Sequence, residues 1–509
     1  MVLQDALRRM VIATKDWPLL GAGYRAVYGL AARLAGLLLG GVAMALYLRR
    51  GLSRQGLNAG VSDVDLLALL DIPAGRETAL LRGLWRRYRL AKRLLPMLGE
   101  LQLATKEELA AYLAWGGIRR LEAPHWRALR GGAAPEPAPA GADASRLHLH
   151  EALCAYIFLC QTYFESAREP RRPDLGFRLA KGFLDVLRHA AAAQDRLPAA
   201  MERREALAGV VGGPRRGLEA PQDLGRPEGL ELLALALARL DGLCRGLSLA
   251  GAALPEGPAH APPANAACDE WPDRLSALGP DAGVFMDTLF HWFVVLPGPE
   301  NFGKAAAQMD DWHSRDVRFQ SAGWLLTRPV LQGLLLVPHL DTPFLAWALG
   351  GPDRGDGLWV RALSRHPLWA GHYRLRWNLG TGLRQPEPER LRLSCRQAAA
   401  ELALSLRMFG LGSWAGANSY RLFFLYSRLL SLRLFLERGV VMDPHDHDAL
   451  LEAYPGHFPQ ARPWLERVAA EDFNRPAAEL DALDPAELFY RHLPFLREQC
   501  DAALGLGQG

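Results

Sequence analysis

Two aspartates, Asp63 and Asp65, stand two residues apart in the run Gly60-Val61-Ser62-Asp63-Val64-Asp65-Leu66. In a strand, residues i and i+2 point to the same face. The spacing therefore sets both carboxylates on one face, with Val64 and Leu66 on the other. Paired carboxylates are the hard oxygen donors that magnesium takes. Two divalent ions held about 3.5–4 Å apart activate an attacking oxygen and stabilise a leaving one. The strand continues as Leu66–Asp71, LLALLD, apolar enough to be buried, and a carboxylate pair at the mouth of a buried strand is costly unless metal or solvent compensates it. The plainer alternative is that both aspartates cap the turn and are solvated. In the turn itself, Gly51, Gly56 and Gly60 let the backbone approach phosphate oxygens, and Ser53 and Arg54 carry donors for them. Glu100, in Leu98–Leu103 (LGELQL), is the candidate for a third carboxylate from a neighbouring strand.

These residues need a strand on either side and helices to hold the strands. Apolar periodicity predicts a helix over 22–39, a strand over 42–48, a Gly-rich turn over 51–60 and a strand over 63–70. A helix follows over 76–95, with Leu81, Leu84, Trp85, Tyr88 and Leu95 on one side and Arg82, Arg86, Arg89 and Arg93 largely on another. A short strand is expected over 98–103, then a helix from Lys106 with Thr105 as N-cap and Glu108 completing a capping box. The Pro/Ala/Gly-rich stretches 131–144, 211–228 and 251–267 read as linkers. Beyond the first, the chain reads as almost wholly helical, over 146–168, 175–193, 229–248, 395–409 and 418–438, with 280–390 harder to assign. The expected fold class is α+β: an amino-terminal domain with a small mixed sheet (1–130), a linker (131–144), a helical domain (145–250), a linker (251–267) and a mainly helical remainder (268–509).

The order of strand, Gly-Ser turn, about ten residues and Asp-hydrophobic-Asp resembles the DNA polymerase beta-type nucleotidyltransferase superfamily. The residues that carry it are Tyr47-Leu48-Arg49-Arg50-Gly51-Leu52-Ser53-Arg54-Gln55-Gly56 and Ser62-Asp63-Val64-Asp65, within the first 100 to 130 residues. The resemblance implies transfer of a nucleoside monophosphate from a nucleoside triphosphate, ATP for instance, to an acceptor hydroxyl. It implies two Mg2+ ions (or Mn2+), with Asp63, Asp65 and Glu100 as metal ligands. Glu100 would also help to activate the acceptor, and Gly51, Ser53, Arg54 and Ser62 would form the phosphate-binding turn. The helical domain after the linker would close the nucleotide cleft. There Arg178, Lys181, Asp185 and Arg188 recur at three- and four-residue spacing. They form either a solvated face with internal ion pairs or, for Arg178 and Lys181, a contact to the triphosphate. Two positions depart from the pattern: Leu52 follows Gly51 where a serine is usual, and the same-face neighbour of Glu100 is Gln102 rather than an acid. They motivate the alternative of a binding or regulatory protein on the same scaffold.

The acceptor is open between a small molecule, a sugar, a protein side chain and an RNA end. A net charge of +4, without a concentrated basic and aromatic surface, argues against a long nucleic acid. Six cysteines without a CxxC pair or zinc spacing read as reduced thiols of a cytoplasmic protein. Residues 30–48 are about as long as a membrane span needs, but Arg33 and Gly40-Gly41 interrupt them, and helix, turn and buried strand is the reading adopted. Gly298–Lys304 matches G-x-x-x-x-G-K, yet Ala305 stands where a P-loop places its metal-binding hydroxyl, so a loop-to-helix junction is expected. Asp443–Asp448 has the side-chain types of a metal site, but before a helix it is expected to supply the N-cap and dipole-matched acids. His148 and His150 face different ways on theirs, and Asp310, Asp311 and His313 form a polar cluster without a compelling spacing.

Overall fold

The computed structural model describes residues 10–15, 17–39, 43–49, 59, 62–72, 75–116, 118–133, 136, 144–167, 174–194, 217–246, 252–253, 283–286, 292–315, 323–336, 384–385, 388–411, 419–440, 442, 447–468, 470 and 485–506. The fold is α+β and mainly helical. In chain order the amino-terminal elements are α1 (Pro18–Leu39), β1 (Ala43–Leu48), β2 (Val64–Leu70), α2 (Glu77–Leu94), β3 (Leu98–Ala104), α3 (Lys106–Trp115) and β4 (Arg127–Arg130). Then come α4 (Ala144–Glu165), α5 (Leu175–Ala193), α6 (Arg226–Gly246), β5 (Gly283–Met286), β6 (Trp292–Leu296), α7 (Phe302–Arg315), β7 (Gly323–Thr327) and α8 (Arg328–Leu336). The carboxy-terminal helices are α9 (Pro388–Leu406), α10 (Ser419–Arg433), α11 (His447–His457), α12 (Arg462–Val468) and α13 (Pro485–Leu504).

The chain forms two compact units that do not follow chain order. The first takes Met1–Ala140, Cys395–Val440 and Glu452–Gly509; the second takes Gly141–Ser394 and Val441–Leu451.

In the first unit a mixed sheet runs in the order β3-β2-β1-β4. β1 is antiparallel to β2 and β4, and β2 is parallel to β3 across the α2 crossover. All seven residues of β2 are buried, so both faces of the sheet are covered. One face carries Ala45, Tyr47, Leu67, Leu69 and Ala104 into a core with Leu109, Tyr112 and Leu113 of α3, Trp126, and Ala400 and Leu404 of α9. The amphipathic reading of α2 holds: Leu81, Leu84, Trp85 and Tyr88 are buried, and Arg82, Arg86, Arg89 and Arg93 are exposed. The capping box of α3 is formed, with the Thr105 side chain accepting from the Glu108 backbone and the Glu108 carboxylate from the Thr105 backbone.

Glu108 also binds the fully buried Arg407 through both carboxylate oxygens, at 2.6 and 2.8 Å, while Arg407 Nε donates to Glu77 at 2.7 Å. Burial alone would lower the guanidinium's pKa, but Glu108 and Glu77 outweigh it and raise it. Arg497 of α13 reaches Glu77 at 3.1 Å. These bonds tie carboxy-terminal helices to amino-terminal ones.

The second unit is less purely helical than its sequence suggests. Helices α4, α5 and α6 pack together, but a sheet of order β5-β6-β7 lies among them, with β6 antiparallel to β5 and parallel to β7. Short apolar runs such as Trp292–Leu296 (WFVVL) and Gly323–Thr327 (GWLLT) do not distinguish a buried strand from a buried helix by periodicity. Here Val294, Val295, Leu296, Leu325 and Leu326 join the helical core.

No described helix is long and apolar enough to cross a membrane. Of the span 30–48, residues 30–39 belong to α1 and 43–48 to β1.

Candidate functional site

The site is built where β2 and β3 begin. Val64 pairs with Leu98 and Leu66 with Leu101, so Gly99 and Glu100 both stand opposite the single residue Asp65. This extra residue is a β-bulge. It resets the alternation of β3 so that Glu100 lies across from Asp65 and Gln102 across from Leu67. Glu100 then shares a face with Asp65.

Gly99 is the hinge of the arrangement. A Cβ placed on it would lie 2.6 Å from both the Asp63 Cβ and the Asp65 Oδ1. The two aspartates therefore lean over the same residue, as their i, i+2 spacing requires, and no side chain fits beneath them. The Glu100 backbone N–H donates to Asp65 Oδ1 at 3.0 Å. Tyr88 of α2 donates its hydroxyl to the Gly99 carbonyl and holds the bulge from the helix. Burial raises the Tyr88 pKa, and Asp65, Asp63 and Glu100 raise it further, so the phenol stays neutral beside the carboxylates. Asp63 is exposed, whereas Asp65 is buried, at 8% exposure.

Arg49 is the residue the sequence reading missed. It follows β1 on the face of Ala45 and Tyr47, and its backbone N–H donates to the Asp65 carbonyl at 2.9 Å. Its buried guanidinium donates to Gln102 Oε1 and lies 5.3 Å from the Trp126 ring centroid. Gln102 Nε2 donates in turn to Glu100 Oε1 at 3.2 Å. A chain of polar contacts thus runs from a cation to the third carboxylate. The period-two alternation Ala45, Tyr47, Arg49 was the signal that would have found it.

The donor set has the chemistry of a hard-cation site, since all its side-chain acceptors are carboxylate oxygens. Asp63 and Asp65 fit such an ion in type and adjacency, and Asp63 opens to solvent. The third corner is not gathered with them: among the described residues no group of three or more His, Cys, Asp or Glu side chains is assembled to hold a metal. The Glu100 carboxylate is instead held by Gln102. A cavity of about 560 Å³ in the same unit is lined by residues including Glu77, Arg433, Arg497 and Asp501, and none of Asp63, Asp65 or Glu100 borders it.

Ser62 is described and half-buried just before the pair. Gly51, Ser53 and Arg54 lie outside the described residues, as does Leu52. Arg178 and Lys181 lie on α5 of the second unit. Arg178 pairs with Asp174 at 2.6 Å and Arg188 with Asp185 at 3.3 Å, the internal ion pairing that the helical spacing allows. Lys181 is exposed.

At Gly298–Lys304, β6 leads into α7 through a short 3-10 turn. The Glu300 carboxylate fills the space beside Gly298. His148 and His150 have different partners, His189 and Cys154. Asp310 pairs with Arg226 at 2.6 Å and accepts from Tyr163, which makes it part of a structural network. Residues 443–446 lie outside the described residues, and α11 begins at His447.

No family model matches the chain, and comparison with curated proteins and with solved structures finds no match either.

Proposed function

We propose that the first unit is a nucleotidyltransferase domain, which transfers a nucleoside monophosphate from a nucleoside triphosphate to an acceptor hydroxyl. The observation that supports this reading is the Asp63 and Asp65 pair leaning together over Gly99, with the Glu100 backbone N–H bonded to Asp65 Oδ1. Asp63 and Asp65 would hold Mg2+ or Mn2+, with Glu100 as the remaining ligand. When bound, the metal supplies Lewis acidity at the acceptor oxygen and at the departing phosphate. Glu100 draws the proton from the acceptor hydroxyl as its oxygen bonds to the α-phosphorus. The bond from that phosphorus to the bridging oxygen breaks, and pyrophosphate leaves. Ser62, with Gly51, Ser53 and Arg54 of the preceding turn, would orient the phosphates. The balanced net charge of +4 favours a small molecule, a sugar or a protein side chain in the cytoplasm as acceptor over a long nucleic acid.

The Arg49–Gln102–Glu100 chain favours a second reading, in which the scaffold binds nucleotide without turnover because its third carboxylate is already engaged. Incubation with each labelled nucleoside triphosphate and Mg2+ or Mn2+ separates the two. The first reading expects pyrophosphate release; nucleotide retained without release supports the second; neither binding nor release contradicts both.

A further inference from the structure

In the second unit, helix α4 carries a thiol, an imidazole and a carboxylate in contact. His150 and Cys154 are four residues apart and so share a helix face. Cys154 Sγ lies 3.1 Å from His150 Nε2. The other ring nitrogen, His150 Nδ1, lies 3.6 Å from Glu151 Oε1, with the two side chains only 12% and 19% exposed. We propose that Cys154 is a nucleophilic thiol that forms mixed disulfides with small disulfides, with His150 as the base that takes its proton and Glu151 as the positioning carboxylate.

The surroundings distinguish this thiol from the others. Among the described cysteines Cys154 alone is not buried. Cys160, further along the same helix, has its thiol pushed up to about 12 by burial, and burial with a smaller effect of Asp241 does the same to Cys244. Cys500 is raised well above the ordinary range, again by burial first. Those sulfurs stay protonated, and a protonated thiol is a poor nucleophile. An imidazolium beside a sulfur favours the thiolate instead, and a carboxylate beside an imidazole favours the imidazolium. Glu151 is that carboxylate on α4. On a different face of α4, His148 meets α5, with His189 3.1 Å away, Arg188 2.9 Å from His189 and Asp185 paired to Arg188.

The reaction balances without a further reagent. The Sγ proton passes to His150 Nε2. The thiolate attacks one sulfur of the small disulfide, so that a bond from Cys154 to that sulfur forms as the original S–S bond breaks. The departing thiolate takes the proton from His150 and leaves as a thiol. Cys154 is oxidised and half of the small disulfide is reduced.

The test uses the full chain with glutathione disulfide at pH 6.5, with each cysteine resolved by fragment masses. The expected result is mixed-disulfide formation at Cys154 at least about tenfold faster than at Cys160 or Cys244. His150→Gln should slow Cys154 about tenfold at pH 6.5, with the two rates converging above the ordinary thiol pKa of about 8.5. Glu151→Gln should fall between them. The wild-type rate of alkylation by iodoacetamide, which needs no variant to fold, should reach half its maximum well below pH 8.5. A wild-type profile centred on the ordinary thiol value, or equal rates for wild type and His150→Gln at pH 6.5, would overturn the proposal.

Discussion

At the scale of single residues, the geometry of the site depends on a glycine as much as on its acids. Asp63 and Asp65 are legible from their spacing, but what lets them lean together is the absence of a side chain at Gly99. Gly99→Ala puts a methyl group 2.6 Å from both. Since the neighbours are the Asp63 Cβ and an Asp65 carboxylate oxygen rather than the loose end of a long side chain, the aspartates must shift. The expected cost is about 1–3 kcal/mol of stability, as for overpacking elsewhere, with nucleotidyl transfer lost by a larger factor than stability explains. Urea unfolding alongside pyrophosphate release checks both, and a variant with unchanged turnover would show that the pair does not depend on the bulge. Asp63, Asp65 and Glu100 could be read from residue type and spacing. The face of Arg49 was legible from its alternation with Ala45 and Tyr47, but its bond to Gln102 was not, because that depends on β3 lying beyond β2 in the sheet, and a sequence does not state strand order.

At the scale of elements, local signals carried well and long-range ones did not. The capping box at Thr105 and Glu108 is written within four residues and is formed. The second duty of Glu108, binding Arg407 some 299 positions away, has no local signature. The same packing loads α13 with an excess of carboxylates. Asp501 is pushed up to about 6, chiefly by burial and then by Glu108, while Arg497 and Arg407 pull it down. The sign follows from the folded state holding the proton more tightly than the unfolded chain. The group contributes no penalty below about pH 4, where it is protonated in both states. A penalty grows as pH rises from about 4 to 6 and is constant above that. Asp501→Asn lacks this penalty. It should match wild type near pH 4 and exceed it by about 2–3 kcal/mol at pH 8. Unfolding free energies of both proteins across that range decide the matter, and a difference independent of pH would refute the assignment.

At the scale of the whole molecule, composition suggests a serial chain of domains, whereas contacts group its two ends in one unit. A Pro/Ala/Gly-rich stretch marks where a chain can leave a core but not which later segment returns to it. The short apolar strands of the second unit could not be assigned for a related reason, since a buried run of five residues has no face to reveal. If Ala400, Leu404 and α13 complete the first core, the fragment 1–140 alone should show no cooperative thermal unfolding by circular dichroism; a sharp transition would mean that the amino-terminal sheet is self-sufficient. The central claim, that Asp63 and Asp65 form a nucleotidyl-transfer site, meets its most direct test in pyrophosphate release by the full chain and by Asp63→Ala/Asp65→Ala, supplied with Mg2+ and each nucleoside triphosphate. Release by the wild type is expected, with a loss of at least about 100-fold in a double variant that keeps its helical content, in line with removal of groups that stabilise a transition state; equal release by the two proteins would contradict the assignment.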